Sequence, residues 1–270
     1  MNQLQQTELA LLQCFTEICE QLGISYFLVC GSALGAAKYK GFIPWDDDVD
    51  VGMYRADYDR FLKEAPALLP ERFFLQTYES DPHYPNIFAK LRDSCTTYIE
   101  KAVAHVPMHH GIYIDIFPLD GYPADQAEQD RLEKKKSFYK RMLSCVYDVP
   151  RSRKGSIIVR LMRLTGIHKK TGTYLRKYEK LIASYPTEGS EKICNHGNWQ
   201  GKLEYAPHAQ YGEGTWADFE GLRVRIPEQY DAYLTQKYGD WRADLPEDQK
   251  VGHHYYSVCD PDRPYTEYIK

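Results

Sequence analysis

From Leu4 to Leu22, apolar side chains recur at positions 4, 9, 11, 12, 15, 18, 19 and 22, the spacing of one helix face, with Glu8 the single charged residue on that stripe. Gly23 is a natural stop. "ISYFLVC" (24–30) then reads as a mostly buried strand, and Gly31 and Ser32 turn into a short helical segment, "ALGAAKY". "VDVGM" (49–53) alternates charged and apolar positions and predicts the next strand, followed by a helix over about 55–69 that Pro70 ends. Further strands are expected at 72–78, 86–93, 96–100 and 111–119, so the first half of the chain mixes a sheet with helices. A helical region follows Pro123 to about Val146, and "IPEQYDAYLTQKYGDW" reads as a strand end, a turn and a short closing helix.

Composition narrows the class. The 270 residues are 43% hydrophobic and 14% aromatic, enough to fill the core of one large or two small domains. A net charge of −4 gives no reason to expect nucleic acid, whose backbone selects basic proteins. The seven cysteines are scattered without a C-x-x-C pair, which favours reduced thiols in a cytoplasmic chain. The N-terminal stretch lacks the basic segment and unbroken apolar run of a signal peptide, and no run approaches the length of a membrane span.

Charge is unevenly spread. From Arg151 to Lys180 ten cations face one acid, Glu179, around the apolar "SIIVRLMRL". Two readings stay open there: a solvated basic connection, or an amphipathic segment on the inner face of an anionic membrane.

The chemistry concentrates in "GSALGAAKYKGFIPWDDDVDVGM" (31–53), where Asp46, Asp47, Asp48 and Asp50 crowd into five positions. Like charges at that spacing call for a cation or a shared proton. In an extended chain Asp48 and Asp50 share a face while Val49 points inward. Paired carboxylates suit Mg²⁺ or Mn²⁺ bound together with substrate phosphates. A Gly-Ser turn opening a helix offers backbone N–H groups to a phosphate, with Gly31 unobstructed and the Ser32 hydroxyl able to cap or bond. Asp115, between apolar residues in "YIDIF", is a buried acid that must be metal-bound or ion-paired. Lys90 and Arg92 alternate on one predicted strand, which aims both cations at one face. An EF-hand fails, since Val51 and Asp57 stand where that loop needs Gly and Glu.

These segments, with "FAKLRDSCTTYIE" (88–100), "HHGIYIDIFPLDG" (109–121) and "FEGLRVRIPEQYDAYLTQKYGDW" (219–241), resemble the LicD family of phosphotransferases, related to the fukutin-type enzymes. The matching blocks, 24–121 and 219–254, cover about half the chain. The resemblance implies an α/β (α+β) architecture with a nucleotidyltransferase-like mixed sheet flanked by helices. The expected division is a catalytic core (1–121), a mostly helical insertion outside the matching blocks that faces acceptor or membrane (122–218), and a C-terminal element packing back on the core (219–270).

By the same resemblance Asp48 and Asp50 are the metal-binding pair and Asp115 the third acid, in metal binding or as the base. Gly31, Ser32, Lys38, Lys90 and Arg92 contact the nucleotide donor. Lys38 and Tyr39 stand where the family often has Arg-His, keeping a charge without the guanidinium fork. His253 and His254 resemble a family histidine element, Trp45 packs in the core or lines the donor pocket, and "CNHGNWQGK" (194–202) is a candidate acceptor contact.

The implied activity is metal-dependent transfer of a phosphoryl-linked group such as phosphocholine from a CDP-activated donor to a hydroxyl of a glycan or glycolipid acceptor, releasing CMP. Two alternatives remain: a D-x-D glycosyltransferase using a sugar nucleotide, and a non-catalytic metal- or glycan-binding protein.

Overall fold

The computed structural model describes residues 1–149, 152–198, 201–250, 252 and 255–269, with every side chain except those of His168 and Lys202. Arg151, His253 and His254, named above, lie outside the described residues.

Helix α1 (Gln3–Leu22) opens with a capping box in which Asn2 and Gln5 each bond the other's backbone N–H, and closes at Gly23, φ 62°. Its apolar stripe buries Leu11, Leu12, Phe15, Ile18 and Cys19, and the helix packs on the central sheet. That sheet runs β1 (Phe27–Leu28), β2 (Asp50–Tyr54), β6 (Tyr113–Tyr122), β4 (Ala89–Asp93), β3 (Phe73–Gln76). Pairing is antiparallel except β2 with β6, which is parallel, so the sheet is mixed as expected. Helices α2 (Cys30–Tyr39) and α3 (Arg55–Glu64) flank β2, and β5 (Thr97–Glu100) lies outside this sheet.

The middle of the chain is helical over α4 (Gln126–Leu143), α5 (Arg153–Leu164) and α6 (Thr171–Ile182), and also supplies β7 (Lys192–Asn195) and β8 (Tyr205–Pro207). Leu119 pairs with Tyr54 of β2 and with Asn195 of β7, so β7 continues the β4 side of β6 beyond the end of β4. After α7 (His208–Tyr211), a hairpin of β9 (Thr215–Phe219) and β10 (Leu222–Ile226) and helix α8 (Tyr230–Tyr238) pack toward α2 and β1. Strand β11 (Tyr256–Asp260) returns to pair with β5. Among the described residues no helix is long and apolar enough to cross a membrane.

One predicted strand changes. The run 24–30 yields only the two residues of β1, because Cys30 adopts φ 53° and turns the chain straight into α2. A left-handed non-glycine residue is costly and needs its surroundings to hold it. Here Tyr233 Oη accepts the Cys30 backbone N–H at 3.1 Å. Gly52 accommodates this entry, since a Cβ there would stand 2.9 Å from Val29 Cγ1 and 3.1 Å from Leu119 Cδ1. Burial looks the same in sequence whether the chain is a strand or irregular, so the run shows the apolar character of 24–30 without its conformation.

Arg55 and Asp120 tie α3 to β6 through a bidentate pair, Nε to Oδ1 at 2.7 Å and Nη2 to Oδ2 at 2.8 Å, with the carboxylate fully buried. Arg55→Met leaves that charge uncompensated and is expected to destabilise by about 3–5 kcal/mol, while Arg55→Met with Asp120→Leu recovers at least half, measured by urea unfolding.

Burial pushes the His109 imidazole down to about 3, with Arg92 and His110 adding to the effect. Its folded state is therefore neutral, and protons bind the unfolded chain preferentially below about pH 6.5, so stability is lost as pH falls through that value. From pH 7 to pH 5 this group costs about 2 kcal/mol. His109→Gln should lose that much less over the same interval in urea titrations.

Candidate active site

Three neighbouring strands bring charged side chains into one row. Asp50 of β2 lies opposite Asp115 of β6 in the parallel register, and Asp115 lies opposite Lys90 of β4. Equal register places all three on the same face, while Val51, Ile114, Ile116, Ala89 and Leu91, all fully buried, fill the other. Lys90 Nζ sits 2.8 Å from Asp115 Oδ1, 3.9 Å from Glu100 Oε2 and 3.2 Å from the centre of the Tyr113 ring. A lysine so surrounded is held as a fixed cation.

The row floors a cavity of about 550 Å³, within the range of small-molecule sites. Asp46, Asp48, Asp50, Glu100 and Asp115 supply carboxylates to it, Lys38 and Lys90 cations, and Tyr39, Trp45, Tyr238 and Trp241 an aromatic wall. Gly31 also lines it, and a Cβ there would come within 2.7 Å of Asp46 Oδ2, so the glycine leaves room for an acid at the start of α2. Gly197 and Asn198, from the stretch 194–202, close another side; Trp199 and Gln200 lie outside the described residues.

The remaining expected residues are placed differently from one another. Ser32 is buried and its Oγ accepts the Asp50 backbone N–H at 2.9 Å, so it fastens α2 to β2. Lys38 lines the cavity while its Nζ donates to Ala243 O at 2.8 Å and contacts Asp244 at 3.1 Å. Arg92 is fully buried and absent from the cavity wall: it donates to Gln76 Oε1 and to Gly111 O (2.7 Å) and lies over the Tyr113 ring at 4.7 Å. Both cations of the K-x-R pair thus converge on Tyr113, Lys90 at the cavity and Arg92 behind it. Trp45 lines the cavity and meets Tyr39 edge-on at 6.2 Å.

The donor set is carboxylate oxygen, the chemistry of Mg²⁺ or Mn²⁺ sites. Asp48, Asp50 and Asp115 all line the cavity. Among the described residues, however, the group of three carboxylates with oxygens all within 4.8 Å of one another is Asp46, Asp47 and Asp48, so Asp48 is common to the observed cluster and the expected set. The residues fit a hard cation at this end of the cavity.

Sequence reading missed two acids. Glu8 is buried on α1, and burial, with Asp48, Asp46, Asp47 and Asp115 nearby, pushes its carboxyl well up. The signal was present: a charge standing on the apolar stripe. Glu100 ends a short strand and carried no comparable signal, because its place beside Lys90 depends on the pairing of distant segments.

The family model described as LicD/FKTN/FKRP, nucleotidyltransferase domain, matches residues 23–148, the segment that holds the row and the acidic cluster. Over 256 residues, 91% of this chain and 92% of the relative, the chain is 30% identical to the lipopolysaccharide cholinephosphotransferase LicD of Haemophilus influenzae. A shorter stretch of 62 residues, 22% of this chain and 12% of the relative, is 40% identical to the human ribitol 5-phosphate transferase FKRP. Nearly end-to-end similarity to the bacterial relative, together with the matched nucleotidyltransferase domain, places this chain in the LicD family.

Proposed function

We propose that the chain transfers a phosphoryl-linked group of the phosphocholine type from a CDP-activated donor to a hydroxyl of a cell-surface glycan precursor, releasing CMP. The observation that carries this reading is the Asp50, Asp115, Lys90 row on the floor of a cavity sized for a nucleotide-linked donor. The name of the Haemophilus relative, a lipopolysaccharide cholinephosphotransferase, supports both the transferred group and the acceptor class.

In this reading the acceptor oxygen forms a bond to the distal phosphorus of the donor diphosphate. The bond from that phosphorus to the bridging oxygen breaks, and CMP leaves with the electron pair. Lys90, already fixed by Asp115 and the Tyr113 ring, meets the charge that develops on the phosphoryl oxygens without having to reorganise. Asp48, common to the expected set with Asp50 and Asp115 and to the cluster with Asp46 and Asp47, would hold Mg²⁺ or Mn²⁺, which when bound offsets the diphosphate charge. The hydroxyl proton passes to a carboxylate and then to solvent; in this reading Asp115 or Glu100, 2.8 Å and 3.9 Å from Lys90, takes it. The aromatic wall of Tyr39, Trp45, Tyr238 and Trp241, with Asp240 beside it, suits a quaternary ammonium group.

Thermal unfolding with CDP, UDP, GDP and ADP compounds, each with and without Mg²⁺, tests the donor class. Stabilisation by cytidine diphosphates with metal, lost in Asp48→Ala, is expected. A preference for UDP or GDP sugars would assign a glycosyltransferase instead.

Lys90→Met is expected to lower CMP release by about 10²–10³-fold. Asp115→Asn should lower both turnover and metal-dependent stabilisation, whereas Glu100→Gln should lower turnover by about 10²-fold and leave stabilisation by CDP and metal in place. Equal loss of ligand stabilisation in both variants would remove Glu100 from the proton step.

A further inference from the structure

Helix α5 carries apolar side chains on two opposite sides. Val159 and Met162 are buried against Cys145 and Ile167, which is how an amphipathic helix seats on a protein. On the other side Ile157, Ile158, Leu161 and Leu164 stand 53%, 51%, 56% and 76% exposed. Scattered exposed apolar residues are ordinary, but four at i, i+1, i+4 and i+7 form one continuous stripe.

The charge around this stripe has one sign. Arg153, Lys154 and Arg160 are exposed on α5, Lys169 and Lys170 are exposed just beyond it, and α5 contains no acid. Glu179, the one acid between 151 and 180, is turned away toward Arg55 and Tyr78. A second copy of the chain would bring like charges together, which disfavours self-association through this face. An anionic bilayer satisfies both features, taking the stripe into the boundary of headgroups and acyl chains and the cations onto lipid phosphates.

We infer that α5 is a membrane-docking helix that seats the protein on an anionic lipid surface. The seat is joined to the cavity. Arg163 of α5 donates through Nε to Cys145 O at 2.8 Å and through Nη2 to Tyr147 O at 3.4 Å, and the Tyr147 side chain lines the cavity and bonds Asn86. Docking therefore holds the cavity wall beside the bilayer, where a lipid-borne acceptor resides. That last step rests on the proposed glycolipid acceptor, whereas lipid binding itself does not.

The test is co-sedimentation of the full chain with vesicles of phosphatidylglycerol and phosphatidylcholine in equal parts, and with phosphatidylcholine alone. The chain should bind the mixed vesicles and leave the neutral ones, with binding weakening as salt rises. Ile158→Ser with Leu161→Ser, and separately Lys154→Glu with Arg160→Glu, should each reduce binding by about tenfold or more. CMP release with a soluble acceptor should be unchanged in both, since neither pair touches the cavity. Absence of binding, equal binding to both vesicle types, or unaltered binding in a folded variant overturns the inference. So does a dimer in sedimentation velocity that both variants dissociate, which would give the face to a second copy. Because vesicle binding is read without turnover, its failure is distinct from failure of the proposed reaction.

Discussion

The parallel register of β2 on β6 is the constraint on which the rest of the molecule turns. It sets Asp50 directly beside Asp115, two acids that are 8% and 6% exposed. Like charges opposed across a sheet destabilise it, and burial raises the cost of each. The next strand offsets this with Lys90, itself nearly buried and in contact with Asp115. A slip of one residue in β2 would turn Asp50 into the apolar face and expose Val51, so the hydrophobic pattern that stabilises the sheet also locks the acids in place.

Much of the surrounding architecture serves that arrangement. Ser32 fastens the first turn of α2 to the Asp50 backbone, and the left-handed Cys30, held by Tyr233 of distant α8, brings that helix over the row. Arg92 fills the space behind Tyr113, which in turn supports Lys90. The cavity that results draws its walls from the first acidic loop, from β4, β5 and β6, from Tyr147 after α4, from the turn after β7, and from the segment following α8. The middle and C-terminal parts of the chain are therefore part of the site, with β7 continuing the sheet itself. Transfer chemistry that must keep water from an activated phosphoryl group gains from such enclosure.

Local chemistry was legible wherever a residue broke its own pattern. Four aspartates in five positions, an aspartate inside an apolar strand, and Lys90 and Arg92 in alternation each stood out; Asp46, Asp48, Asp50, Asp115 and Lys90 line the cavity, and Arg92 lies behind Tyr113. Helix α1 followed from its periodicity and its glycine stop, and α3 and α4 from the prolines that bound them, because those signals act over one or two turns. The two-residue β1, the short β7 and β8, and the roles of Ser32 and Arg92 did not, because they depend on partners far away in sequence.

The sequence by itself therefore determined the inventory: which side chains are acidic, which are cationic, and which faces of which elements are apolar. Tertiary structure decided the assignments. It gave Lys90 to the cavity and Arg92 to the layer behind it, brought Glu8 and Glu100 to the acids, and left the stripe on α5 open beside basic residues. The physical reason is range. Helical and strand periodicity is written over a few residues, whereas the pairing of a carboxylate with a cation is fixed by sheet register between strands tens of positions apart.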